Sequence, residues 1–378
     1  MATLLARAGF KPIVFEKRPQ IGLPIRCGEA TGNRAEISRF IPIDENWISA
    51  DINAVRIISP GGRILEKSLP GLGVVLSRSR FDQALADSAQ SAGAEIRLHT
   101  EAIDLIQEKG SFNGVRVRDH ARGRCYRVRA AVTVGADGIE SFIGRRAGLT
   151  RHLNLGGIHS AFQYLIEARN LPRDTIELHA GRSIAPGGYA WVFPKGRGLA
   201  NVGLGIHPSP AGGLSPRELL DRFIAKRYPD ARIRATVAGG TSGTKPLKTM
   251  VAGGVLLVGE AAHQNNPLSG GGIMNALEGA ALAAEVITNA LQKGDTGARA
   301  LKPYDHRWSR QVGRSISKYA RLRKFIYQLS DKEMDDLAAV LEGFIRRPGD
   351  SPLDPAEIFK TALTNVPGLV WKTRKLLW

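Results

Sequence analysis

Between Gly253 and Glu285 the chain reads GGVLLVGEAAHQNNPLSGGGIMNALEGAALAAE. Val255 to Val258 is a short apolar run bounded by glycines, the pattern of a buried parallel strand. Gly270-Gly271-Gly272 then precedes an Ala-rich segment with helical periodicity. Glycines there let the backbone approach a bound group closely, and the first turn of the helix offers free N–H donors. Such a site suits a flat group, an anionic one, or both. Taken alone, the triple glycine equally fits a tight strand–helix connection with no ligand. A second chemical candidate is Glu16, which ends the predicted strand Pro12–Glu16. An acid at the end of this strand in a dinucleotide fold accepts the ribose hydroxyls. The third is the stretch Ile25-Arg26-Cys27-Gly28-Glu29-Ala30. By itself Cys27 is more often a small buried residue than a reactive thiol.

Tyr189, Trp191 and Phe193 occur at alternate positions in GGYAWVFP, with Asn201, Gly203 and Gly205 beyond. Alternation places the three rings on one face of a strand. That face is either a domain core or the lining of an apolar tunnel. Arg299 to Lys324 carries nine basic residues against one acid, and Arg310, Arg314, Lys318 and Arg321 fall on one helical face. The last residues, from Val370 to Trp378, pair Trp371 and Trp378 with bases in the manner of an interfacial anchor.

The elements that must position these residues follow in order. Met1 to Ala8 reads as the end of a helix closed by Gly9. Asp51 to Leu69 alternates around Pro60-Gly61-Gly62, predicting a hairpin. Arg78 opens a helix to about Ala92, with Ser77 or Ser79 as its cap and Gly93 as its stop. Glu95 to Val134 predicts a meander of short strands broken at Lys109-Gly110 and Arg122-Gly123. Residues 153–245 alternate as strands, with a helix from Leu214 to Tyr228 capped at Ser215-Pro216. Gly239 to Lys248 is predicted as a loop. The Ala-rich helix ends near Gly294, and residues from about 297 to 378 are helical.

At 378 residues the chain holds two domains with sizeable cores. Two cysteines argue against a disulfide framework and suit a reducing cytosol. No zinc-type spacing, signal peptide or membrane-spanning run of about 18 apolar residues occurs, so no metal is expected, and the expected location is the cytoplasm with a peripheral place on the inner face of the cell membrane. The net charge of +18 suits an anionic membrane surface or a phosphate-bearing substrate. Aromatics are sparse and no nucleic-acid motif is present, so no nucleic-acid partner is expected.

In combination these motifs resemble the FAD-dependent oxidoreductases of the hydroxybenzoate-hydroxylase type, and GEAAHQNNPLSGGGI with GYAWVFPKG is most similar to the geranylgeranyl reductase family. The segment Pro24-x-x-Cys27-Gly28, the R-x-x-F-D at Arg78 to Asp82 and the G-A-D-G-x-x-S ending at Ser141 match in order. The resemblance implies an α/β fold: a Rossmann-type FAD-binding domain, an antiparallel-sheet substrate domain and a helical C-terminal region. The ranges expected are 1–50, 74–150 and 246–295; then 51–73 and 151–245; then 296–378. It implies FAD bound by Glu16, Cys27, Gly28, Ala30, Arg78, Ala102, Asp137, Glu260, Gly271, Gly272 and Ile273. Tyr189, Trp191 and Phe193 would border the substrate cavity. The activity implied is reduction of alkenes in a geranylgeranyl chain, fed by NAD(P)H or ferredoxin, at an anionic membrane surface. No proton donor is legible.

Two departures stand out. Glu260 replaces the family's Asp, which shifts the carboxylate by a methylene. The glycine fingerprint that should precede Glu16 is not in the sequence. Either the chain as given starts late or the pyrophosphate site has been lost; truncation is the expectation, because everything downstream remains matched to a flavin. Two alternatives stay open: a flavin monooxygenase or halogenase of the same fold, suggested by His263 after G-E-A-A, and a flavin-free prenyl-lipid carrier.

Overall fold

The computed structural model describes residues 1–151, 157–207 and 212–345. The chain opens with α1 (Ala2–Arg7) and β1 (Ile13–Phe15), followed by β2 (Ala30–Thr31), α2 (Arg34–Ser38), β3 (Ile48–Ile58) and β4 (Ile64–Leu76). The turn at Pro60 closes the β3–β4 hairpin, with Ser59 N–H donating to Arg63 C=O at 2.9 Å. Next come α3 (Arg78–Ser91), β5 (Glu95–Arg97), β6 (Thr100–Glu108), β7 (Ser111–Asp119), β8 (Arg124–Arg129), β9 (Thr133–Gly135) and α4 (Phe142–Arg146). Strands β6, β7 and β8 form the expected antiparallel meander.

The second part holds β10 (Ile158–Glu167), β11 (Thr175–Ala180), β12 (Tyr189–Gly196), β13 (Leu199–Ile206), α5 (Pro216–Arg227) and β14 (Arg232–Ser242). Ser215 and Glu218 cap α5 reciprocally, side chain to backbone N–H in both directions. The chain then returns through β15 (Val251–Ala252) and β16 (Val255–Leu257) to the long α6 (Ile273–Gln292). It ends in α7 (Ala298–Leu301), α8 (Pro303–Trp308), α9 (Arg314–Ile326) and α10 (Asp331–Ile345). A π-helical turn, Ser309–Gly313, joins α8 to α9.

An eight-stranded sheet in the order β14-β10-β13-β12-β11-β3-β4-β2 dominates the molecule. All its neighbours are antiparallel except β11 and β3. Where a loop is predicted from Gly239, the structure continues β14 to Ser242, pairing Gly239 with Ala161 and Gly240 with Ser160. Pairing with β10 overrides the low strand preference of glycine, which is a tertiary effect.

The nucleotide-side strands form smaller sheets: β1 with β5 in parallel, and β15-β16-β9 with β16 and β9 parallel. Val255, Leu256 and Leu257 are fully buried there and pack against Leu282, Ala283 and Ile287 of α6. A separate core lies between the large sheet and α5, from Val192, Val202 and Leu204 to Leu220 and Ile224. The C-terminal helices are tied to the hairpin and its neighbour by acids at the start of α10. Asp335 accepts from Ser59 Oγ at 2.5 Å and Gly61 N at 2.7 Å, and Asp331 from Arg182 N at 2.6 Å. The segment from Val370, with Trp371 and Trp378, lies outside the described residues.

Candidate functional site

After β16 the chain makes a short 3-10 turn, Gly259–Ala262, and a loop that its own side chains hold in shape. Gln264 is fully buried; it accepts from Gly259 N at 2.7 Å and donates to Tyr304 Oη at 2.7 Å. Asn266 N–H donates to Gly271 C=O at 2.7 Å and Gly270 N–H returns to Asn266 C=O at 2.8 Å. Helix α6 begins at Ile273 with Gly272 as a cap that has no side chain to offer. The first-turn amides are therefore left for a ligand or water. Added carbon at Gly272 would meet only Asn265, at 3.4 Å. The Asn265 Oδ1 is buried without a hydrogen-bond partner. Open amides, a side-chain-free loop and an orphaned buried amide oxygen fit a flat polar group such as a flavin ring.

Glu260 does not project freely from this loop. It accepts from Thr241 Oγ1 at 2.8 Å and Ser242 N at 3.0 Å, pinning the turn to the end of β14. Burial pushes its carboxyl above the usual range, and these two hydrogen bonds offset only part of that. His263 adopts φ 55° and pairs Nδ1 with Thr244 Oγ1 at 2.8 Å.

Facing the loop is one side of the large sheet. Along β12 the residues Ala190, Val192 and Pro194 are buried toward α5, while Tyr189, Trp191 and Phe193 are half-buried on the other side. The rings form a file, with centroids 5.8 Å apart from Tyr189 to Trp191 and 6.1 Å from Trp191 to Phe193. On β13 the same side carries Asn201, Gly203 and Gly205. The glycine at 203 is required: a side-chain carbon there would sit 2.5 Å from Trp191 Cζ2. At Gly205 it would find nothing nearer than Trp191 at 3.8 Å, so space remains beside the ring. Tyr189 Oη donates to Ser269 C=O, which brings the aromatic file against the glycine loop. Burial and the neighbouring Tyr327 raise the Tyr189 phenol.

The Cys27 segment crosses this same face. Gln163 donates to Cys27 C=O at 3.2 Å while accepting from Trp191 Nε1 at 2.9 Å, and Asn201 donates to Gly28 C=O at 3.1 Å. A side chain at Gly28 would fall 2.8 Å from Phe193. Ala30 begins β2 and pairs with Val75. Arg78 holds Asp82 through two bonds of 2.8 and 2.9 Å. Burial works against its charge, and the paired hydrogen bonds to Asp82 lead the interactions that more than offset that.

Glu29, between Gly28 and Ala30, is the hub of this crossing. At φ 72° and 4% exposure its carboxylate accepts from Arg78 N at 2.8 Å, Lys195 Nζ at 2.7 Å and Asn201 Nδ2 at 2.8 Å. It thereby caps α3, the task expected of Ser77 or Ser79; the Ser77 side chain makes no cap bond. The available signal was the period of two that puts Asn201 with Gly203 and Lys195 with Phe193. Nothing in the sequence singles out Gln163.

Other candidates lie apart from this face. Glu16 follows β1 and accepts from Arg18 N at 2.9 Å, and its C=O takes Thr100 N–H, two residues before Ala102. Asp137 accepts from Ile143 N at 2.8 Å and so caps α4. Tyr189 joins the aromatic file to the loop that holds Gly271, Gly272 and Ile273, Cys27 and Gly28 lie on that file through Gln163, Asn201 and Phe193, and Glu29 ties them to Ala30 and Arg78. Glu16 with Ala102, and Asp137, stand on the nucleotide-side strands.

Mixed small sheets, a large mainly antiparallel sheet and a glycine loop opening a helix define an FAD-binding oxidoreductase fold of the hydroxybenzoate-hydroxylase type. Residues 1–180 match the FAD binding domain, and residues 157–243 match the geranylgeranyl reductase catalytic domain. A digeranylgeranylglycerophospholipid reductase of Methanothrix thermoacetophila is 37% identical over 380 residues, covering 100% of this chain and 95% of that protein. The crystal structure of a geranylgeranyl bacteriochlorophyll reductase-like protein from Thermoplasma acidophilum superposes with a TM-score of 0.91 at 31% identity, over 99% of this chain and 95% of that one. A flavin-dependent brominase shares the fold, with a TM-score of 0.70 at 18% identity over 99% and 96%. The chain belongs to the geranylgeranyl reductase family. It is an FAD-dependent oxidoreductase of that type.

Proposed function

We propose that the protein reduces carbon–carbon double bonds in the geranylgeranyl chains of a digeranylgeranylglycerophospholipid, in membrane lipid synthesis. The observation that carries this is the file Tyr189, Trp191 and Phe193 standing opposite the Ser269–Gly272 loop, beside the open flank of Gly205. FAD would be held at its ring end by Gly271, Gly272, Ile273, Cys27, Gly28, Ala30, Arg78 and Glu260. Asp137 would lie along it, with Glu16 and Ala102 at its adenosine end. Bound and reduced, it supplies the hydride.

The chain's own part is positional. The aromatic file offers apolar surface that orients an extended prenyl tail and excludes water. Gln163 fixes Trp191 from behind, and the Glu29 hub fixes the Cys27–Gly28 crossing relative to β12 and β13. The exposed bases Arg310, Arg314, Lys318 and Arg321 support docking on an anionic membrane. Among the described residues no helix is long and apolar enough to span one.

The test is flavin-loaded protein incubated with dithionite and digeranylgeranylglycerol phosphate, followed by mass spectrometry. A gain of about two mass units per reduced bond is expected. If every prenyl substrate stays untouched while an aromatic compound is oxygenated at the expense of NADPH, the monooxygenase reading replaces this one.

A further inference from the structure

Beyond the aromatic file, the same side of the sheet ends in a group of polar side chains with no acid among them. His159 lies four residues before Gln163 on β10, about 13 Å along the strand, and on the same side. It is 5% exposed, and its Nε2 has no hydrogen-bond partner. Its ring stands 5.5 Å from that of His207 and 5.8 Å from that of Tyr327. Helix α9 brings Arg323 to the same place. Leu322, Phe325 and Leu329 anchor that helix in a small core shared with Leu268 of the flavin-side loop. Arg323 lies over the Tyr327 ring at 5.7 Å, and its Nε and Nη1 are buried with no hydrogen-bond partner.

The two side chains converge on Gly243. A side-chain carbon there would overlap both Arg323 Nη1 and His159 Cε1, so this close approach depends on glycine. The Glu260 carboxylate is turned to Thr241 and Ser242. At the opposite end of the aromatic file Lys195 is already neutralised by Glu29 at 2.7 Å. Arg323 has no ion pair among the described residues. Two buried guanidinium nitrogens with unmade hydrogen bonds are unfavourable unless an anion completes them.

We propose that Arg323 and His159 bind the phosphate of the lipid substrate and so set which stretch of its prenyl chains lies over Trp191. The guanidinium supplies the charged N–H donors, and His159 joins it as a donor once the charge of a bound phosphate favours a proton on its free Nε2. The proposal rests on the reading of the aromatic file as the prenyl path. The phosphate chemistry itself could come from a lipid head or from free phosphate.

The test uses flavin-loaded, full-length protein and a saturated dialkylglycerol phosphate, which binds but offers no double bond. Binding is followed by Trp fluorescence and by the flavin spectrum. Comparison ligands are the same dialkylglycerol without phosphate, glycerol 3-phosphate and inorganic phosphate. The phosphate lipid should bind more tightly than the dialkylglycerol. Arg323→Gln should weaken the phosphate lipid roughly ten- to hundredfold and the dialkylglycerol little. Arg323→Lys should recover part of the loss, and His159→Gln should give a smaller loss. In turnover, Arg323→Gln should raise KM for the phosphate lipid more than it lowers kcat. Equal weakening of both lipids would make Arg323 a packing residue and overturn the proposal, as would no weakening. Inorganic phosphate binding as tightly as the lipid would overturn the lipid assignment. Arg323-dependent binding with no reduction of any prenyl substrate would uphold the phosphate site and sink the proposed reaction instead.

Discussion

Strands β12 and β13 show one side to α5 and the other to the glycine loop, and the two sides are finished differently. Toward α5, Ala190, Val192, Ala200, Val202 and Leu204 are fully buried beneath Leu220 and Ile224. Toward the loop stand three half-buried rings, two glycines, Gln163 and Asn201. On the α5 side Glu177 takes Arg227 Nη2 at 2.7 Å and His179 Nε2 at 3.3 Å and Tyr164 Oη donates to Asp221 Oδ1 at 2.7 Å, while Tyr228 Oη is buried without a partner. On the loop side Asn265 Oδ1, His159 Nε2 and two nitrogens of Arg323 are buried and unmatched. The α5 side leaves one phenol oxygen unmet and is otherwise closed by apolar packing; the loop side gathers four unmet polar atoms, the pattern of a surface that a ligand finishes.

Substitutions should separate the two sides. Leu220→Ala opens a cavity under a fully buried side chain and should cost about 2–5 kcal/mol of unfolding free energy, read by denaturant titration. Flavin content and selectivity among prenyl chains should survive in the fraction that remains folded. Trp191→Ala should do the reverse. It should leave the denaturation midpoint much nearer wild type and lower turnover on C20 chains on the order of ten- to hundredfold, with less effect on short prenyl alcohols. A loss of stability as large as that of Leu220→Ala would show that the aromatic file is core after all.

Acid should reach the two sides at different pH. Burial and the charge of Arg323 hold His159 down at about 4, below its ordinary 6.5. The unfolded chain thus binds more protons there, and stability falls as pH drops from about 6.5 to 4. Glu177 is the other case. Burial alone would raise it, yet the hydrogen bond from His179 and the charge of Arg227 bring it to about 2, against 4.5. Its contribution is complete above 4.5 and is lost as pH falls toward 2. Melting temperatures across pH should show His159→Gln flattening the upper window and Glu177→Gln the lower. The smallest effect belongs to Ser215→Ala, which removes half of a reciprocal cap and should cost about 1 kcal/mol without touching flavin spectrum or turnover.

Much of the fold was legible because it is local. The glycines at 61 and 62 made the hairpin, Ser215 and Glu218 made the cap, and alternation in YAWVF put three rings on one side. The glycine loop was legible as a close backbone turn before a helix, but not as a ligand site, since the same three glycines fit a bare strand–helix connection. Alternation could not say whether the ringed side was core or cleft; that depended on α5 covering the other one. Pairing with β10 decided that Gly239 to Ser242 is strand. Glu29 was illegible because its partners Lys195 and Asn201 are 166 and 172 residues away, brought to one carboxylate by strand register. Arg323 was unremarkable among nine bases until packing of α9 buried two of its nitrogens beside His159. Sequence periodicity determines which side of an element a residue takes, because backbone geometry is local. Which segment covers that side, and whether its charges find partners, is decided only by long-range packing.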